Sequence, residues 1–167
     1  MGAPLVTIGS FRGRLAAVGE DGRERLRVVL REAAAYAQER GIRLALEPLN
    51  HYEMDFLNRA EEVLSFIQEM GHPALGVLLD TYHFNMEESS WTEPFRRAMV
   101  AGKLWHVHLG DNNRLPPGRG LINFHAIIAI LREAGYRGYL SAELWARPDP
   151  DTAARQTLAY MRALLEG

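Results

Sequence analysis

Ile42-Arg43-Leu44-Ala45-Leu46-Glu47, Leu75-Gly76-Val77-Leu78-Leu79-Asp80, Leu104-Trp105-His106-Val107-His108 and Gly138-Tyr139-Leu140-Ser141-Ala142-Glu143 are short apolar runs, each closing on a carboxylate or an imidazole. Their length and Leu/Val content read as β-strands of a parallel sheet. One acidic residue at a strand end is commonplace. Glu47, Asp80, His108 and Glu143 at four successive strand ends are a pattern. Three carboxylates and one imidazole make a mixed oxygen and nitrogen donor set of the kind that holds a divalent metal.

Helical signals alternate with these runs. Asp21 and Glu24 resemble a capping box, followed by Leu26, Val29, Leu30, Ala33, Ala34 and Ala37 at helical spacing and a stop at Gly41. Asn58 and Glu61 open a second helix, Ser90 and Glu93 a third, and Asn123 caps a fourth. A last helix is expected over Asp151 to Leu165, and an additional strand over Leu5 to Ile8. The expected order is therefore an α/β chain of parallel β/α repeats with about five strands. Within the strands, Arg43, Ala45 and Glu47 share one face while Ile42, Leu44 and Leu46 share the other. Tyr139, Ser141 and Glu143 likewise oppose Leu140 and Ala142, and His106 and His108 oppose Trp105 and Val107. A sheet with one face on helices and polar groups on the other behaves as a barrel wall with a functional interior.

The chain has 167 residues, enough for a single domain over 1–167, but a full eightfold β/α barrel takes about 250. The expectation is a partial barrel, its C-terminal part, lacking the N-terminal strands. Open sheet edges are normally covered or closed, so pairing with another copy or with a missing segment is expected. The formal net charge of −2 gives no electrostatic reason for a nucleic-acid or anionic-membrane partner. The absence of cysteine excludes disulfides, thiol catalysis and Cys-ligated zinc. The start Met1-Gly2-Ala3-Pro4 does not read as a signal peptide, and no apolar run approaches the ~20 residues of a membrane span. A cytoplasmic protein is expected.

The motifs Leu46-Glu47-Pro48-Leu49-Asn50-His51-Tyr52-Glu53, Leu79-Asp80-Thr81-Tyr82-His83-Phe84-Asn85 and His106-Val107-His108-Leu109-Gly110-Asp111-Asn112-Asn113-Arg114-Leu115-Pro116-Pro117-Gly118 resemble the xylose-isomerase-like barrel superfamily. Within it they are most similar to ketose 3-epimerases of the D-tagatose and D-psicose type, and to related sugar phosphate isomerases/epimerases. The resemblance runs from about residue 5 to 145. It implies a partial TIM barrel with a single divalent metal, usually Mn²⁺ with Co²⁺ or Mg²⁺ as substitutes, on Glu47, Asp80, His108 and Glu143. It implies that Glu47 and Glu143 are the acid/base pair, and that His83, Arg114 and Glu53 contact the sugar. Asp111 stands where the epimerases often carry Glu. The segment Gly9 to Arg14 is closer to the sugar phosphate group, and Arg12 and Arg14 would suit a phosphate.

In the implied chemistry a ketose chelates the cation, one carboxylate removes the α-proton to give an enediolate, and the other returns a proton to the opposite face. The expected activity is therefore a metal-dependent isomerase or epimerase of a sugar or sugar phosphate. A polyol dehydratase on the same scaffold is a second enzyme reading. An apurinic-endonuclease-like hydrolase would need further histidines and a basic surface that this chain lacks. The non-enzyme reading is an incomplete barrel serving as a sugar-binding or assembly module. His106 is expected to support the site rather than ligate, and His83 reads as a loop residue.

Overall fold

Leu5–Ile8 forms strand β1 in the computed structural model, which describes residues 2–19 and 21–166. A 3₁₀ turn (Ser10–Arg12) and α1 (Leu15–Val18) lead into the long helix α2 (Gly22–Glu39). Strand β2 (Arg43–Leu46) is followed by α3 (Ala60–Met70). Strand β3 (Leu75–Asp80) is followed by α4 (Thr81–Glu87) and α5 (Glu93–Val100). Then come β4 (Leu104–Leu109), α6 (Phe124–Glu133), β5 (Leu140–Ala142) and α7 (Pro150–Glu166).

Every strand pairs in parallel with the next in the chain, giving the order β1-β2-β3-β4-β5. Five parallel strands wound this way form a half-barrel. Among the described residues, β1 and β5 each have a neighbour on one side only. Leu44, Leu46, Leu75, Val77, Leu79, Val107 and Leu109 are buried against the helices. Their alternates Ala45, Gly76, Leu78, Asp80, His106, His108 and Ser141 face the concave side, as the register pairs Ala45 with Gly76, Asp80 with His108 and His108 with Ser141.

One irregularity sets this arrangement. Val77 pairs with Leu104, but Leu78 pairs with His106, so Trp105 is an extra residue on β4. A bulge shifts the two-residue phase of a strand, and a one-residue slip turns every later side chain to the other face. Without it Asp80 would sit beside Val107; with it His106 and His108 reach the concave face. This corrects the simple alternation that put Trp105 with Val107. Its ring instead lies across Gly76, where a Cβ would sit 2.3 Å from it, flanked by Arg43 at 5.2 Å and Lys103 at 5.5 Å from the ring centre.

The helix boundaries differ locally from the expected ones. Asp21 occupies the cap position of α2 but its side chain makes no capping bond. Arg59, not Asn58, caps α3; the Asn58 amide instead donates to the carbonyls of Leu49 (2.6 Å) and Met54 (2.9 Å). Ser90 accepts from Thr92 and Glu93 N–H just ahead of α5. Asn123 caps α6 as expected, accepting from Ala126 N–H at 3.0 Å. Gly71 closes α3 in the left-handed region at φ 64°, which glycine adopts without steric cost.

Phe66, Phe95 and Phe124 are the largest fully buried side chains between sheet and helices. Phe95 meets Phe84 edge to face, with centroids 5.2 Å apart at 87°. Phe95→Ala is expected to lower stability by about 3–5 kcal/mol, because it removes an aromatic from a fully enclosed position. Urea denaturation checks this. No helix of the described residues is long and apolar enough to cross a membrane.

Candidate metal centre and active site

The C-terminal ends of β2, β3, β4 and β5 bring the four sequence-predicted residues together. Glu47 follows β2 directly, its N–H donating to Ile8 carbonyl at 3.0 Å. Asp80 ends β3 and caps α4 through Tyr82 N–H at 2.8 Å. His108 lies within β4, and Glu143 follows β5, tied to Leu109 carbonyl at 3.1 Å. One side-chain donor from each of Glu47, Asp80, His108 and Glu143 falls within 4.8 Å of the others. His108 Nδ1 lies 3.8 Å from Glu47 Oε1 and 3.8 Å from Asp80 Oδ2, and contacts Glu143 Oε2. Arg114 bridges Asp80 Oδ2 at 2.8 Å and Glu143 Oε1 at 3.1 Å, its guanidinium 4.5 Å from the Tyr82 ring centre.

The electrostatics show what such crowding costs. Burial pushes the Glu47 carboxyl up, opposed by His108 and reinforced by Glu143. Burial likewise pushes Asp80 up to about 7 against the pull of Arg114. For His108 burial acts downward, but Glu143 and Glu47 outweigh it and raise the imidazole to about 9. Glu143, whose Oε2 contacts His108, falls to about 2. A proton on His108 is thus doing part of what a cation would do among three carboxylates. Glu47 Oε1 and His108 Nδ1 are both buried without a hydrogen bond of good geometry. Hard oxygens and one imidazole, with two such donors unsatisfied, fit a divalent metal.

Comparison with known proteins agrees with this architecture. The family of xylose isomerase-like TIM barrels matches residues 1–164. The chain belongs to this family. It is 38% identical to a D-psicose 3-epimerase of Agrobacterium fabrum, over 80% of this chain and 53% of that protein. It is 34% identical to a 3-dehydro-D-guloside 4-epimerase of Escherichia coli, over 80% of this chain and 50% of that protein. A D-psicose 3-epimerase from Clostridium cellulolyticum, solved with D-tagatose, superimposes with a TM-score of 0.79 at 30% identity, covering 87% of this chain and 56% of the other. The chain spans about half the length of these relatives.

Around the family's strand ends the structure also places the other expected residues. His83 lies on α4, not in a loop, because Asp80 runs straight into that helix. It is buried, held uncharged by burial and by Arg114, which push it down to about 3. Glu53 Oε1 sits 3.8 Å from His83 Nδ1. His106 stays outside the four-residue cluster and pairs with Ser141 Oγ at 2.6 Å. Arg12 and Arg14, expected to suit a phosphate, instead turn to backbone carbonyls. Arg12 donates to the carbonyls of Glu47 (2.6 Å), Phe56 (3.2 Å) and Leu57 (3.2 Å), and Arg14 to that of Glu53 (2.9 Å) and to that of Tyr52. Both arginines staple the loop after β2.

Asp111 has a role that sequence reasoning missed. It is fully buried, and its carboxylate accepts from the N–H groups of Asn112 (2.9 Å), Gly118 (3.0 Å), Gly120 (2.8 Å) and Ile122 (3.1 Å). This folds residues 111–122 around one anion and presents Arg114, which adopts φ 60°, to the Asp80 and Glu143 carboxylates. The available signal was an Asp followed by Asn, Pro and two Gly, a composition suited to side-chain-ordered turns. Asp111→Ala is expected to cost about 1–3 kcal/mol or more, the range for leaving a buried amide unsatisfied. Hydrogen exchange should show the Gly118, Gly120 and Ile122 amides losing protection.

Proposed function

We propose that this chain performs metal-dependent epimerisation or isomerisation of a sugar at the carbon next to its carbonyl. The observation that carries this is the convergence of Glu47, Asp80, His108 and Glu143 at neighbouring strand ends. Its relatives named epimerases support the reading. One of those names, a 4-epimerase of a 3-dehydro sugar, puts the inverted carbon beside a ketone.

A divalent cation on those four side chains, Mn²⁺ with Co²⁺ or Mg²⁺ as substitutes, would supply a Lewis acid that polarises the substrate carbonyl. Glu47 and Glu143 approach the site from strands on opposite sides of β3 and β4. With one oxygen of each on the cation, the other would do the proton work: one carboxylate removes the α-proton and the other returns a proton to the opposite face. A positioned proton transfer of this kind typically contributes about 10²–10⁴-fold. Arg114 supplies a planar cation beside Glu143, suited to a sugar oxygen that gains negative charge. His83 and Glu53 line the same side and hold sugar hydroxyls. The open edges of β1 and β5 are covered by a second copy or a further barrel segment, and a monomeric mass by light scattering would argue against the first.

The test is the Mn²⁺-loaded protein with a panel of ketoses and ketose phosphates in D₂O. Deuterium entering the carbon beside the carbonyl is the expected result. Bound metal with no exchange across the panel would overturn the catalytic reading and leave a sugar-binding module.

A further inference from the structure

Asn50 is a buried polar side chain that the proton-transfer scheme leaves unused, at 1% exposure. Its amide orientation follows from its partners. Oδ1 accepts from the N–H groups of Tyr52 at 3.0 Å and Glu53 at 3.2 Å, an Asx turn that only an oxygen can make. The nitrogen Nδ2 therefore points the other way and donates to Glu53 Oε1 at 3.1 Å and to His83 Nδ1 at 2.7 Å. The Asn50 backbone N–H also points at His83 Nδ1, at 3.5 Å. Two donors aimed at one imidazole nitrogen require it to offer a lone pair. In a neutral ring the proton then sits on the other nitrogen.

We propose that Asn50 is a positioning residue that fixes His83 as the Nε2–H tautomer, making His83 a neutral hydrogen-bond donor to a substrate oxygen. Among the described residues no protein group bonds Nε2, and it is the nitrogen left for a ligand. A neutral donor suits a site that already concentrates charge on Arg114 and the ligand group. It gives direction without adding a second cation next to the metal. The substrate contact rests on the epimerase reading; the tautomer itself does not.

Asn50→Asp separates the two roles of the side chain. An aspartate keeps the oxygen that accepts from Tyr52 and Glu53 N–H, so the turn survives, but it cannot donate to His83 Nδ1. The proton is then expected to move to Nδ1. Long-range ¹⁵N–¹H spectra of histidine-labelled protein read this directly, with His83→Gln assigning the ring. The wild type should show an unprotonated Nδ1 and a protonated Nε2, and Asn50→Asp the reverse or a doubly protonated ring. Ketose exchange should fall by about 10²-fold in kcat/KM, the scale for losing one preorganised donor. Adding Glu53→Gln removes the repulsion between the new carboxylate and Glu53, and the altered tautomer should persist. A wild-type Nδ1–H, or a tautomer unchanged in Asn50→Asp, would overturn the proposal and leave Asn50 a turn residue. Absent exchange in the wild type would defeat the epimerase reading while the spectra still decide the tautomer.

Discussion

Glu143→Gln is expected to reduce α-proton exchange by about 10²–10⁴-fold, the range for one positioned acid or base, while the protein still folds and still binds metal more weakly. Glutamine matches glutamate in shape and keeps an oxygen for Arg114, which lies 3.1 Å from Glu143 Oε1. What it loses is basicity. Half of the Glu143 side chain is exposed at the mouth of the site, against 8% for Glu47, so a substrate reaches Glu143 with little rearrangement. Glu47→Gln should be as damaging for exchange and more damaging for the fold, because its neutral amide would face His108 in a buried place. Measuring deuterium uptake, kcat and Mn²⁺ affinity on each variant separates chemistry from metal loss. If Glu143→Gln exchanged within a few-fold of the wild type with metal bound, Glu143 would be a ligand only.

The strand ends were legible because each is a short apolar run, fully buried in β3, and a carboxylate or imidazole closing it stands out. Glu47, Asp80, His108 and Glu143 needed only the count of successive runs. The bulge at Trp105 was not legible. Nothing in Leu104-Trp105-His106 says which residue is extra; the space over Gly76, on a neighbouring strand, decides it. Helix α4 was equally hidden. Thr81, Tyr82, His83, Phe84 and Asn85 are weak helix formers, and the helix stands on tertiary packing such as Phe84 against Phe95. Arg12 and Arg14 failed for a third reason. Their long-range partners are backbone carbonyls 35 to 45 residues away, and a carbonyl carries no sequence signature. Only the resemblance pointed to His83 and Glu53, while the Asn50 link between them follows from the fold of one loop.

Mn²⁺ is expected to stabilise the chain strongly, and His108→Ala to abolish that effect. At a free concentration about 100-fold above Kd, binding to the native state alone adds about 2.7 kcal/mol. For a chain of this size each kcal/mol moves Tm by about 2–4 °C, so a rise of roughly 5–10 °C over a chelator-treated sample is expected. The metal-free state makes the pH course of the same experiment informative. His108 rises to about 9 when folded, because Glu143 and Glu47 outweigh its burial. A raised folded value means this proton stabilises the metal-free protein fully below the ordinary histidine value of about 6.5. That contribution is lost as pH climbs through about 9. The metal needs the same nitrogen without its proton, so at pH 7.5 binding must release a proton. Titration calorimetry in buffers of different ionisation enthalpy reads that release, and affinity should climb with pH over the same window. Asp80→Asn tests the site independently of the imidazole, since it removes a carboxylate that is almost fully buried beside Arg114. Equal Tm with Mn²⁺ and with chelator, or a full shift retained in His108→Ala, would mean that the four side chains assemble without holding a metal.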